Sequence, residues 1–224
     1  MNNIEIIHQL KEFVTDSRFK LFEKILNERT NYISLLIENV YQSHNASAIV
    51  RTAEALGLQE LYVYERKNSF SPNEEISLGA QKWLDIYRYK ESEITTAELF
   101  YQLKSKGYRI IATTLHEKAI SLEQINLEKG KMLFLFGTEK EGLTDEFKSN
   151  ADEFLKIPIY GFTESFNVSV SVGIILYQII SKLRQTHISY FLSNEEKNKI
   201  MIDWLVKSIP MGEKVLERII KKGA

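Results

Sequence analysis

The stretch Ile157–Ile180, IPIYGFTESFNVSVSVGIILYQII, fastens a polar, bent segment directly to an apolar one. Pro158, Gly161, Thr163, Ser165 and Asn167 crowd its first half, and from Val168 to Ile180 there is no charged residue. Proline and glycine punctuate turns, and short hydroxyl and amide side chains hydrogen-bond nearby backbone. The piece FNVSVSV alternates with period two, which favours a strand. The run Asn167–Leu183, however, is longer than strands usually are. Asn167 is of the type that caps a helix start, and Ser169, Ser171 and Gly173 would let another helix come close. The expectation is a helix, buried nearly all round, that packs on a sheet or on a second subunit.

Outward from that stretch, helices and short apolar strands alternate. IEIIHQLKEF and SRFKLFEKILNER have helical spacing, YISLLIENV (Tyr32 to Val40) reads as a buried strand, and SAIVRTAEALG as a helix closed by Gly57. LYVYE and DIYRY are strands, TAELFYQLKSKG is a helix ending at Gly107, and YRIIATT, KMLFLFG and FLKIPI are three more strands. This order implies an α/β fold, a mostly parallel sheet with helices on both faces. Ligands of such sheets sit beyond the carboxyl ends of the strands. The polar clusters follow Val40, Thr113, Phe136 and Ile157, each of them after a strand.

The totals exclude more than they assign. The chain has 224 residues, a formal net charge of −1, 44% hydrophobic and 26% charged residues, which suits a globular protein with a sizeable core. Cysteine is absent, which rules out disulfides and thiolate metal sites and agrees with a reducing cytoplasm. His8, His44, His116 and His187 are scattered without metal-ligand spacing, so no metal is expected. No apolar run reaches about 18 residues, so no membrane helix is expected. The opening MNNIEIIHQLKEF lacks the basic start and apolar core of a signal peptide. Ser181–Ala224 carries nine Lys or Arg against five Asp or Glu, a local basic excess that a solvated helical surface explains equally well.

Three clusters bear on chemistry. NASAIVRTAEALG holds Asn45 and Arg51, both placed near a helix start and the loop before it; a capping Asn and a surface Arg are the plain alternative. FGTEKEG sets Glu139 between Gly137 and Gly142, glycines that permit positive φ and close approach to a ligand, or simply a strand-to-helix turn. GFTESFN puts Ser165 and Asn167 at a strand–loop–helix junction, for capping or for holding a polar ligand. There is no G-x-G-x-x-G fingerprint, no G-x-x-x-x-G-K-[ST] loop and no G-x-S-x-G elbow, which argues against a doubly wound nucleotide enzyme.

Taken together, NASAIVRTAEALG, FGTEKEGL and IPIYGFTESFNVSV resemble, in order and spacing, the three motifs of the SpoU (TrmH) branch of the SPOUT RNA methyltransferases. The resemblance runs from about Tyr32 to Tyr190, and SLGAQKWL is similar to the TrmH-type tRNA ribose methyltransferases. Phe166 and Tyr160 stand where the family often has Leu and another apolar residue. The resemblance implies a sheet whose carboxyl-terminal part is tied in a deep trefoil knot, and a homodimer. It implies S-adenosylmethionine held by backbone at Thr113, Gly137, Ile157 and Phe166. It also implies methyl transfer to a ribose 2′-hydroxyl by Arg51 with Asn45, Glu139, Ser165 and Asn167. Arg51 matches the catalytic arginine; since guanidinium stays protonated, stabilising the developing alkoxide or steering a phosphate is an easier role than a base. The expected substrate is the D-loop guanosine of tRNA, with a 23S rRNA ribose as the second possibility and a non-catalytic knotted RNA-binding protein as the third. The expected domains are a helical extension at 1–30, the methyltransferase domain at 31–190 and a basic helical extension at 191–224.

Overall fold

Seven strands form one sheet in this computed structural model, which describes residues 1–114, 119–138 and 140–222. They are β1 Ile33–Glu38, β2 Glu60–Glu65, β3 Asp85–Lys90, β4 Arg109–Thr113, β5 Ile120–Ser121, β6 Met132–Phe136 and β7 Glu153–Lys156. All pairings are parallel, in the order β3-β2-β1-β6-β4-β7-β5. The two central strands, β1 and β6, are buried from end to end, as their unbroken apolar runs require. Their register sets Leu35 beside Phe134 and Ile37 beside Phe136.

Alternate residues serve opposite faces. Leu35, Ile37, Phe134 and Phe136 point into one apolar cluster with residues of α3 (Ser43–Ala55) and α7 (Val168–Leu183). Leu36, Leu133 and Leu135 point into a second cluster with α5 (Thr96–Ser105) and Phe147 of α6 (Asp145–Ser149). A short α4 (Glu74–Ser77) follows β2. Gly57 and Gly107 end α3 and α5 at φ of 83° and 85°, the left-handed turn that stops a helix.

Two expectations need correction. The strand read in FLKIPI stops at Lys156, because Pro158 offers no N–H to a ladder and restricts Ile157 before it. The segment after Asn167 is a helix despite its period-two alternation, and the Asn167 side chain accepts from the Ser169 N–H at 2.9 Å. It is not buried all round, though. Val172, Ile175, Leu176, Ile179 and Leu183 are buried, whereas Val170 and Tyr177, two turns apart, are 48% and 67% exposed. Within the chain, a Cβ at Gly173 would meet Thr52 at 3.8 Å, an ordinary contact.

The amino-terminal edge of the sheet is closed by its own polar groups. The Tyr62 hydroxyl hydrogen-bonds Glu60, the Tyr108 hydroxyl lies 3.0 Å from the same Glu60 oxygen, and Lys106 Nζ donates to Tyr62 at 2.9 Å. Ser34 Oγ donates to the Glu60 carbonyl at 2.7 Å, and Tyr87 stacks on Tyr62. Burial pushes the Tyr62 and Tyr108 phenols well above the usual tyrosine range, aided at Tyr62 by the Tyr108 phenol and Glu60 and at Tyr108 by the Glu60 carboxylate. Tyr87 is pushed up to about 12 by burial and then by Glu60.

The chain divides into two compact units, one of Asn31–Tyr190 and one of Met1–Thr30 with Phe191–Ala224. The second is helical: α1 Asn3–Lys11, α2 Asp16–Leu26, α8 Asn194–Ser208 and α9 Gly212–Lys222. Capping boxes begin α1 (Asn2 with Glu5) and α8 (Ser193 with Glu196), and Phe22 packs edge-on to Trp204. In α9, Lys214, Arg218, Lys221 and Lys222 are exposed.

Candidate active site

The described residues among those singled out by sequence gather, with one exception, at the carboxyl-terminal edge of the sheet. Thr113 ends β4, Gly137 follows β6, Ile157 follows β7, and Ser165, Phe166 and Asn167 lead into α7. The exception is Arg51, further along α3, where it is exposed. Glu139 lies outside the described residues.

Asn45 differs from its expected place. Helix α3 begins at Ser43, four residues before the serine at which the reading opened it, so Asn45 sits inside the first turn rather than in the loop. It is not the cap either: that position is Gln42, whose side chain makes no capping bond. Ala46 N–H bonds the Gln42 carbonyl and Ser47 Oγ bonds the Ser43 carbonyl at 2.7 Å, which carries the helix back to Ser43. Asn45 is 4% exposed and both ends of its amide are engaged. It donates to Gln42 Oε1 at 3.2 Å, and its oxygen accepts from Asn167 Nδ2 at 3.1 Å. Asn167 thus caps α7 with one end of its amide and ties α7 to α3 with the other. Two helices start side by side, both with amino ends toward the same edge, which favours an anionic or electron-rich ligand.

The loop after β6 is drawn tight. Thr138 and Gly142 exchange two backbone hydrogen bonds of 3.1 and 3.0 Å, and Glu141 N–H bonds Thr138 Oγ1 at 3.1 Å. Gly142 takes φ 68°, as the expectation for these glycines allowed. Gly137 is glycine for a different reason: a Cβ there would lie 2.1 Å from the backbone carbon of Gly142. The close approach is of the chain to itself. Leu143 is buried in the second cluster and anchors the loop's return.

Thr113 uses its hydroxyl structurally, donating to the Leu135 carbonyl at 2.7 Å and locking the ends of β4 and β6 together. Among the described residues, neither the Arg51 nor the Ser165 side chain has a hydrogen-bond or ion-pair partner. Phe166 is 40% exposed, while Ile157 packs against the first cluster.

A carboxylate network at the same edge went unread in the sequence. Glu38, the last residue of β1, accepts from Arg66 Nε at 3.0 Å, Thr144 N–H at 3.0 Å and Thr144 Oγ1 at 2.7 Å. Arg66 also pairs with Glu146 at 2.7 Å and with Glu91. Burial opposes the Arg66 charge, but the Glu146 hydrogen bond and the nearby carboxylates hold its pKa above the usual value. Hydrogen bonds from Arg66 and Thr96 lower that of Glu146. The available signal was an acid ending the apolar run ISLLIE, where a buried charge must have partners.

Fold and edge together define an α/β protein whose site is built from strand-to-helix loops on a parallel sheet. Residues 32–177 match the SpoU rRNA Methylase family, and the chain belongs to that family. It is 41% identical over 195 residues to a tRNA (guanosine(18)-2′-O)-methyltransferase of Borreliella burgdorferi, covering 87% of each chain. It is 32% identical over 204 residues to an Aquifex aeolicus protein of the same name, covering 89% of this chain and 94% of that one. Among solved structures, the A. aeolicus TrmH/SpoU tRNA modifying enzyme superposes with a TM-score of 0.77 at 30% identity, covering 87% of this chain and 98% of the other.

Proposed function

We propose that the chain is an S-adenosylmethionine-dependent tRNA 2′-O-methyltransferase acting on the D-loop guanosine, in the cytoplasm, as a homodimer. The observation that carries this reading is the Asn45–Asn167 hydrogen bond, which joins the first and third motifs into one site at the carboxyl edge. The names of the relatives from B. burgdorferi and A. aeolicus supply the substrate position, guanosine 18.

The edge fits the donor. Exposed Phe166 and half-buried Ile157 offer apolar surface for a purine, and Gly137, which has no room for a side chain, opens the turn after β6. Backbone at Thr113, Gly137, Ile157 and Phe166 would hold the donor, which supplies an electrophilic methyl group when bound. The protein's own work is to place a ribose hydroxyl in line with it and to stabilise charge as the proton leaves. Arg51, always protonated, suits the developing alkoxide or an adjacent phosphate. Asn45 and Asn167 fix the two helices between which the ribose is oriented, and Ser165 stands ready to hydrogen-bond donor or substrate. Glu139 is assigned to orienting Arg51 or a partner's loop.

In this reading, the domain at 31–190 carries the chemistry, its carboxyl-terminal chain threaded as a trefoil knot. The exposed stripe of α7 with Val170 and Tyr177 supports a two-fold interface. The segments at 1–30 and 191–224 dock tRNA; the exposed lysines and arginine of α9 support phosphate contact.

The test is methylation of total RNA with a labelled methyl donor, followed by mapping of the modified ribose. Label on the 2′-oxygen of the D-loop guanosine is expected. Label confined to ribosomal RNA would replace the substrate, and binding of the donor without transfer to any RNA would overturn the catalytic reading.

A further inference from the structure

The second motif's loop must keep one shape to present its backbone to a ligand, and the structure shows what holds it. Its entry is fixed by β6, whose last residue Phe136 stands beside Ile37 of β1. The chains of β1 and β6 therefore leave the sheet side by side, at Glu38 and Gly137. Its exit is Thr144, immediately after the Gly142–Leu143 backbone that lies against Gly137. Both donors of Thr144, the N–H at 3.0 Å and the hydroxyl at 2.7 Å, end on the Glu38 carboxylate.

Glu38 is 1% exposed. A carboxylate so placed is costly unless every oxygen is engaged. Here Oε1 takes the Thr144 hydroxyl and Arg66 Nε, and Oε2 takes the Thr144 N–H. Three donors converge on one acceptor-only group, and no amide of the same shape could serve them all. Arg66 is in turn braced by Glu91 and Glu146, the latter on α6 just past the loop. The next residue, Asn39, takes φ 54° and accepts from the N–H groups of Lys67 and Asn68, both at 3.0 Å, so the chain toward α3 is fixed at the same point.

We propose that Glu38 is a positioning residue of the methyltransferase: by gripping Thr144 it sets the 137–143 loop against the exit of β1 and so sets affinity for the methyl donor. This rests on the function proposed above. Glu38 touches neither donor nor RNA in this role; it acts through Thr144.

The experiment measures S-adenosylmethionine binding by calorimetry, KM for donor and for tRNA, kcat and thermal unfolding, in the full-length protein and its variants. Glu38→Gln, which sets an amide against at least one of the three donors, is expected to raise Kd and donor KM by about ten-fold, the effect of one charge-assisted hydrogen bond. The KM for tRNA and kcat at saturating donor should stay within about two-fold, the scatter expected when transition-state contacts are untouched. Thr144→Ala should act in the same direction, and Thr144→Ser, which keeps both donors, should restore wild-type donor affinity. Because the Thr144 hydroxyl also caps α6 by accepting from Phe147 N–H, Glu38→Asp, which keeps the charge but shortens the reach to Thr144, replaces Glu38→Gln should that variant not fold, with the same rise in donor KM expected. Equal donor affinity in wild type, Glu38→Gln and Thr144→Ala overturns the proposal, as does a parallel rise in both KM values, the sign of general loosening. Failure of the wild type to bind the donor removes the functional reading itself, and this proposal with it.

Discussion

The two ends of the sheet handle polar groups in opposite ways. At the amino-terminal edge, Glu60, Tyr62, Tyr108, Lys106 and Ser34 bond one another, so their capacity is consumed. At the carboxyl-terminal edge an inner ring is equally committed: Glu38 to Thr144 and Arg66, Asn45 to Asn167, Thr113 to Leu135. Outside that ring, Ser165 and Phe166 present exposed side chains, and Arg51 does so further along α3. Structural polar clusters close on themselves, whereas a working edge spends its buried groups on holding loops and leaves its outer groups for a ligand. Burial and partner lists tell the two apart where residue type does not.

Substitutions at the two ends should therefore fail differently. The largest effect belongs to Arg51→Ala, expected to lower kcat by about 10²–10³, as removal of one charge-stabilising group does. The melting temperature should hardly move, because the side chain is exposed; near-normal transfer by this variant with unchanged RNA affinity would take Arg51 off the catalytic list. Gly137→Ala comes next, since its Cβ would collide with Gly142 backbone that no rotamer can relieve. A stability loss of about 1–3 kcal/mol in denaturant titration, together with lost donor binding, is expected.

At the other end, Tyr108→Phe should destabilise by about 1–2 kcal/mol while leaving donor KM and kcat unchanged; a change in donor KM would mean that the two edges communicate. The same tyrosines predict the alkaline limit. Their folded pKa values are raised, so their contribution is complete below about 10, the unfolded value, and is lost as pH rises above it, because only the unfolded chain then releases those protons. Unfolding free energy measured across that range should fall more shallowly in Tyr108→Phe. The smallest effect is the contrast to Gly137: Gly173→Ala on α7, with room for its Cβ, should be neutral or stabilising by up to about 1 kcal/mol in the same titration.

Much of the architecture was legible. Apolar runs such as KMLFLFG announce buried strands, and the length of the run after Asn167 outweighs its alternation, because a helix of that length buries one face whatever the local period. The order of elements gave the parallel sheet, and the three motifs resembled a family to which the chain belongs. What stayed hidden was set at a distance. The start of α3 depends on bonds to Gln42 and Ser43, and its cap is Gln42, whose type is no marked helix signal. The need for glycine at 137 comes from backbone five residues on folding back over it, and no local rule announces that. Glu38 reads as the polar end of a strand until Thr144 and Arg66 are seen around it. The exposed stripe of α7 is invisible to composition, because its apolar residues look the same on either face.

The Asn45–Asn167 bond spans 122 positions. During synthesis, the helix bearing Arg51 leaves the ribosome long before the segment that must meet it, and a contact of such sequence separation forms late. A polypeptide released before Asn167 carries the arginine with no cradle beside it. On the proposed function, truncated products would be inert rather than half-active, and transfer RNA would not meet an enzyme with only part of its grip.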